Sequence, residues 1–352
     1  MNSNKFKIGL FGINSSSGLS LTKYKNRWKA TWDEMYELIK FADKKNFDFI
    51  LPLSKWKDWG GSTEPNKISY ETFNFSSLLL PITKKIFFFS TIHVPFVHPV
   101  YAAKVISTIN SAHPKRLGLN IVCGWNENEY QMFYKQNDNF SKERYLYGEE
   151  WVKIYDRCLK VKNFSFKGNF FNIKNASVYP KNRNSIPLVS AAYSEEGRKF
   201  AMKNCNYLFT MFENFQRTKK LNEKLISRAK INKKNIKIFT PIHIICRKTE
   251  SEADDFHDYY SIKKKDEKAV NNFINNVAVA NKKTLHKIMK SKSNIIASSC
   301  GSKIIKGNPK QVAEQLRELK NAKFSGAAFS FVNYLDEIKF FTKKVLSQKP
   351  FD

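Results

Sequence analysis

The sequence predicts an α/β protein built as a (β/α)8 barrel with insertions. Eight short apolar segments alternate with helical patterns along 352 residues, the mark of parallel strands joined by crossover helices. The polar residues with chemical potential gather just after those segments, where parallel α/β proteins place their sites. The loop after the first segment reads GINSSSG and lacks the GxGxxG fingerprint of a dinucleotide-binding sheet. A doubly wound open sheet is the alternative architecture for the same alternation.

Strand one is KIGLFGIN (7–14), followed by a polar loop. WDEMYELIKFADKKN (32–46) sets Met35, Leu38, Ile39 and Ala42 on one helical stripe. FDFILPLSK (47–55) is strand two, ending in Ser54 and Lys55, and WKDWGG is a loop with two tryptophans. A helix over ISYETFNFSSLLLPIT leads to strand three, KKIFFFSTI (84–92), whose aromatic and β-branched run suits burial on both faces. Pro95 and Pro99 then enforce a loop that holds His93 and His98. The helix AAKVISTIN precedes strand four, LGLNIVCG (117–124), and a loop with Trp125, Asn126, Glu127 and Glu129.

KERYLYGEEWVKIYDRCLK (142–160) reads as a helix, and a small hairpin is expected around Lys167, Gly168 and Asn169. IPLVSAAYS (186–194) is strand five and runs into the helix EEGRKFAMKN. CNYLFTMF (205–212) is strand six, followed by the helix FQRTKKLNEKLISRAKI. NIKIFTPIHIICR (235–247) is strand seven, and SGAAFSFVN (325–333) is strand eight. A helix over 308–322 has Pro309 in its first turn, and YLDEIKFFTKKVLSQ closes the chain. The polar helical region from about 251 to 292 fits the repeat least. We read 1–352 as a single domain with an insertion around 251–307.

Composition narrows the function. No run of about 18 apolar residues exists, so no membrane span is expected, and the N-terminal apolar run is too short for a signal peptide. The five cysteines are odd in number and scattered without CxxC. They support neither a disulfide framework nor a zinc site, and a reducing, cytoplasmic setting is expected. The net charge of +30 comes from lysines spread along the chain. We read it as compositional drift over a polyanion-binding patch, which disfavours a nucleic-acid partner while still drawing in an anionic cofactor. There is no HExxH, P-loop or GxSxG, and His243, Cys246 and Arg247 have no metal-ligand spacing.

Several residues carry two readings. His93 has the titration range of a general acid, or it orders the HVPFVHP loop; for His98 the structural role is favoured. Ser194 precedes a helix whose free N–H groups favour an anion, or it is a plain N-cap. Arg144 offers a fork that fits phosphate, or it pairs with Glu143, Glu149 or Glu150 on its own helix. Trp56, Trp59 and Trp125 either pack under the loops or form an apolar wall that excludes water. The strand position of His243 leaves open whether it faces the barrel or the helices.

The blocks HVPFVHPVYAAK, RLGLNIVCGWNENEYQMF and FSFVNYLDEIKFF resemble the bacterial-luciferase-like flavin-dependent monooxygenases. The branch is the one holding pyrimidine, dimethylsulfone and alkanesulfonate monooxygenases, and the likeness runs from Lys7 to about Leu346. It implies a TIM barrel that binds reduced FMN (FMNH2) and activates O2 as a flavin peroxide to oxygenate a small organosulfur or nitrogen-heterocyclic substrate. It also implies a separate NAD(P)H-dependent flavin reductase and a homodimer or homotetramer. By the same resemblance Ser54 and Lys55 contact the flavin, and Asn120 lies close to its ring. Glu129, Arg144 and Tyr145 meet its polar edge and tail, and Ser194 binds its phosphate. His93 and Asn120 are the catalytic candidates. Ala192 and Tyr193 stand where relatives often carry glycine, and the 251–307 region departs from the family pattern. The rival functions are a deazaflavin-dependent oxidoreductase of the same superfamily and a non-catalytic flavin- or nucleic-acid-binding protein.

Overall fold

The computed structural model describes residues 5–133, 140–181, 185–231, 235–279 and 282–352. The strands in chain order are β1 (Lys7–Phe11), β2 (Phe49–Leu51), β3 (Phe87–His93), β4 (Leu117–Val122), β5 (Phe164–Lys167), β6 (Asn172–Ala176), β7 (Leu188–Ala191), β8 (Tyr207–Phe209), β9 (Lys237–Cys246), β10 (Lys303–Gly307) and β11 (Gly326–Ser330). The parallel order β9-β11-β1-β2-β3-β4-β7-β8 closes on itself through a β8–β9 pairing. This is an eight-stranded TIM barrel, and the open-sheet alternative falls away. β5 and β6 form the expected hairpin, antiparallel and outside the barrel. Among the described residues no helix is long and apolar enough to cross a membrane.

Phenylalanines fill the barrel. Phe49, Phe87, Phe89, Phe209 and Phe239 form one buried cluster with Leu51, Val189, Tyr207 and Ala328, and Phe49 stacks on Phe239 at 5.0 Å between ring centres. The alternate residues Ile50, Phe88 and Leu208 belong to the larger core between strands and helices, as a period of two demands. Rings of this size fit because small residues oppose them. A β-carbon on Gly9 would lie 2.5 Å from the Phe49 ring, and one on Gly326 would lie 2.8 Å from the Phe239 ring.

The same parity aims the polar residues. With Phe87 and Phe89 inside, Thr91 and His93 of β3 follow them towards the axis. Leu117, Leu119 and Ile121 pack outward, so Asn120 of β4 faces in. Phe239 puts His243 inside as well, which settles what the sequence left open.

The 251–307 insertion is several elements, not one long helix. Helices Glu250–Asp258, Glu267–Val279, Lys282–Ser291 and Ser293–Ser299 surround a π-turn at Tyr259–Lys263; residues 280–281 of the expected helical region lie outside the described residues. KIIKG, to which the sequence reading assigns no element, is strand β10. Lysines take two of its five positions, so its apolar run is only two residues long. β9 is long enough to be shared: β8 pairs along Lys237–Phe239, and β10 takes the same edge along Ile242–Cys246.

Candidate active site

The end of β2 and the loop after β4 meet through an ion pair. The Lys55 ammonium lies 2.5 Å from Glu129 Oε1, and both side chains are withdrawn from solvent. The same oxygen accepts the backbone N–H groups of Trp56 at 3.2 Å and Lys57 at 3.3 Å. Glu129 therefore ties down the loop that follows β2, while its Oε2 is buried without a partner. Burial lowers the pKa of Lys55, and the Glu129 carboxylate works against that. The ammonium also stands 3.8 Å over the Trp59 ring.

His93 is buried at the end of β3. Its Nε2 lies 3.2 Å from the Ser54 carbonyl and its Nδ1 lies 3.4 Å from the Tyr130 hydroxyl. A carbonyl only accepts, so the neutral ring carries its proton on Nε2 and presents Nδ1 as an acceptor. Burial pulls the pKa of His93 down; the nearby Glu129 carboxylate and the Ser54 carbonyl oppose this, and Lys55 adds to it. His98 holds the structural role expected of it, with Nδ1 capping the helix Pro99–Ala112 at Val100 N.

Ser54, Lys55 and His93 line one cavity of about 60 Å3 together with Thr91. Asn120 joins them through Thr91, donating Nδ2 to Thr91 Oγ1 at 3.1 Å, and its Oδ1 is buried with no partner. β4 pairs with β7 at Asn120↔Val189 and Ile121↔Ser190, so Ser194 follows the strand beside Asn120. Ser194 Oγ accepts from Gly197 N at 3.1 Å and meets the Tyr145 hydroxyl at 3.3 Å. A β-carbon on Gly197 would lie 2.5 Å from that hydroxyl and 2.8 Å from the Ala192 β-carbon. Ser194 is thus an N-cap, and it does not line the cavity that Ser54 and His93 share. Arg144 donates Nη1 to the Gly124 carbonyl at 2.8 Å rather than pairing with a neighbouring glutamate, and Nε of both Arg144 and Arg198 is buried without a partner.

These atoms could hold a flavin. Asn120 Oδ1 is an acceptor for a ring N–H, and the two guanidinium Nε–H groups are donors for an anionic tail. Glu129 suits it less well than expected, since one carboxylate oxygen is already spent on Lys55 and the loop backbone.

The tryptophans divide. Trp59 is buried against Trp125 and Phe273 of the inserted helix Glu267–Val279, the packing role. Trp56 is exposed and meets Phe96 and Phe133 instead. Beside them a second cavity of about 390 Å3 lies between the loop after β2 and the inserted helix, and Asn272 and Asn276 line it. Sequence reading assigned that helix no role, although the run NNFINN puts Asn272 and Asn276 on one helical face.

A closed parallel barrel with a polar cluster at the strand ends defines a barrel of the enzyme type. The sequence pattern of luciferase-like monooxygenases matches residues 9–326, and the chain belongs to that family. Pyrimidine monooxygenase RutA of Pseudomonas savastanoi pv. phaseolicola is 30% identical over 203 residues, which cover 57% of this chain and 56% of that protein. The chain thus matches little more than half the length of that relative. DmoA from Hyphomicrobium sulfonivorans has the same fold, with a TM-score of 0.86 at 13% identity over 98% of this chain and 88% of its own. Riboflavin lyase RcaE, solved with modified FMN and riboflavin, superposes at a TM-score of 0.82 and 13% identity over 98% of this chain and 91% of its own.

Proposed function

We propose that the protein is the oxygenase of a two-component system. Reduced FMN, delivered by a separate NAD(P)H-dependent reductase, binds across the ends of β4 and β7. A small organosulfur or nitrogen-heterocyclic substrate is oxygenated there with O2. The observation that carries this reading is the family match over 9–326 on a closed barrel; the unpaired polar atoms at its strand ends add support. When bound, reduced flavin supplies the electrons that activate O2. The chain's own residues bind, orient and exclude water. Asn120 meets the ring through Oδ1, Arg144 and Tyr145 hold the tail, and Ser194 holds the phosphate at the start of its helix. The buried Lys55–Glu129 pair keeps the loop after β2 closed over the site, and His93 holds a proton at Nε2.

Anaerobic titration with reduced FMN, FAD and a reduced deazaflavin tests the cofactor, and FMN is expected to bind tightest. Substrate-dependent NADH consumption with a generic flavin reductase and a panel of sulfones, sulfonates and pyrimidines tests the reaction. Stronger deazaflavin binding, or no substrate-dependent turnover across the panel, would sink the proposal.

Ser194→Ala and Asn120→Ala are expected to fail differently. Loss of the Ser194 hydroxyl removes a charge-assisted hydrogen bond of about 1.5–3 kcal/mol. The dissociation constant for reduced FMN should then rise about ten- to a hundredfold, with turnover recovered at saturating flavin. Its loss as an N-cap costs about 1 kcal/mol of stability, read separately from a urea midpoint. Unchanged FMN affinity would leave Ser194 as a cap alone. Asn120→Ala should bind flavin nearly as well but release more hydrogen peroxide per NADH consumed. Full coupling in that variant would return Asn120 to a structural role.

A further inference from the structure

The one-turn helix Glu127–Tyr130 brings two neighbouring side chains to two different strand ends. Glu129 meets Lys55 beyond β2, and Tyr130 meets His93 of β3. Tyr130 and His93 are both buried. The backbone N–H of Trp125, which only donates, points at the Tyr130 hydroxyl oxygen at 3.1 Å. His93 Nδ1 lies 3.4 Å from the same oxygen. The direction of this second bond follows from the far edge of the imidazole. Nε2 faces the Ser54 carbonyl at 3.2 Å and carries the proton there, so Nδ1 of the neutral ring is a bare lone pair. The Tyr130 hydroxyl therefore donates to it. The donors Trp125 N–H, Tyr130 O–H and His93 Nε2–H then run one way, from the loop after β4 to the end of β2. Phe96 fixes both ring planes: it stacks on His93 with 5.3 Å between ring centres and 10° between planes, and it meets Tyr130 edge-on at 4.8 Å.

We infer that Tyr130 is a positioning residue that holds His93 as the neutral Nε2–H tautomer, a hydrogen-bond donor rather than a base at the wall of the smaller cavity. His93 and Ser54 both line that cavity. The inference rests on the oxygenase reading for the use of this proton, while the hydrogen-bond chain itself stands without a flavin. A second proton would have to enter at Nδ1, where the hydroxyl proton already points, so the bond favours the uncharged ring. The groups around His93 pull in opposite directions. Burial, the largest influence, opposes a cation and so does the Lys55 ammonium, whereas the Glu129 carboxylate and the Ser54 carbonyl favour one. Tyr70 and Glu71 line the same cavity, but Glu71 is turned to its own helix, accepting Phe73 N at 3.0 Å and Asn74 N at 2.8 Å. A fixed neutral donor serves an oxygen on which negative charge develops during a reaction.

The test is imidazole nitrogen NMR of the full chain without flavin, with the His93 signals assigned from their loss in His93→Gln. At neutral pH the parent should show His93 as a single neutral tautomer, protonated at Nε2 only. Tyr130→Phe keeps a ring against Phe96 and removes only the hydroxyl. In that variant the Nδ1 resonance should move, as that of an acceptor that has lost its donor. The pKa of His93 should rise by about 0.4–1 pH unit, the worth of one neutral hydrogen bond to the uncharged form. A Tyr130 that accepted from a charged His93 would give the opposite sign. His98, whose Nδ1 accepts from Val100 N, should titrate as in the parent. A parent His93 protonated at Nδ1 overturns the inference, and so does an Nδ1 resonance that stays in place or a pKa that falls in Tyr130→Phe. An equal rise at His98 overturns it as well, since the whole loop after β3 would then have loosened. None of these outcomes decides the oxygenase reading, which stands or falls by reduced-FMN binding and turnover.

Discussion

Lys55→Met is expected to cost about 3–5 kcal/mol of folding stability, the usual penalty for leaving one partner of a buried ion pair uncompensated. Both side chains are buried, and no bulk water is at hand to solvate the stranded Glu129 carboxylate. Two backbone N–H groups still point at its Oε1, so the loop after β2 should loosen without detaching. The double variant Lys55→Met/Glu129→Gln should recover most of the loss, since an uncharged amide needs no counterion. Urea midpoints of the parent and both variants measure this. A single-variant cost below about 1 kcal/mol, the level of an exposed pair, would mean that the two charges are solvated.

The second large effect concerns acid. His243 lies between Ser330 Oγ at 2.9 Å and the Tyr260 hydroxyl at 3.1 Å, and Tyr260 in turn meets Ser298. Burial, with the His257 and Arg247 charges adding to it, pushes the pKa of His243 down to about 3. The unfolded chain titrates this group near 6.5. Between those values the unfolded state holds the extra proton, so stability rises with pH there. The contribution is complete above about pH 6.5 and is lost as pH falls through that value. At pH 5 the loss from this one group is about 2 kcal/mol, at about 1.36 kcal/mol per pH unit. His243→Gln keeps a donor and an acceptor without a titrating proton, so its stability should fall less steeply between pH 6.5 and 5. All other ionisable groups are common to both proteins, and the difference isolates His243. Parallel curves would show that His243 is charged in the folded state. Because Tyr260 and Ser298 belong to the inserted segment while His243 and Ser330 belong to β9 and β11, acid should release that segment from the barrel.

Much of this was legible in the chain. The helix over 215–231 begins and ends in the structure where the sequence places it, because its stripe of apolar residues repeats within a few turns. The phenylalanine-rich strands are recognisable for the same reason, and so are the polar residues that follow them. Local periodicity needs only neighbours a few positions away.

What the chain did not reveal involves partners far apart. Glu129 meets Lys55, 74 residues earlier, a partner to which no local pattern points. Ser194 caps its own helix, and the Tyr145 hydroxyl that meets it comes from 49 residues earlier. β10 shows too little apolar pattern to be a strand alone, and it becomes one only because β9 offers an edge that β8 leaves unpaired. The inward aim of His243 follows from closing the barrel around Phe239. Asn272 meets the Trp59 carbonyl across 213 residues. Sequence alone therefore determined the elements and their order, since secondary structure answers to nearby periodicity and to chain breakers. Tertiary structure decided which polar groups are spent on each other and which remain for a ligand, because closing a barrel brings together groups whose separation along the chain carries no signal.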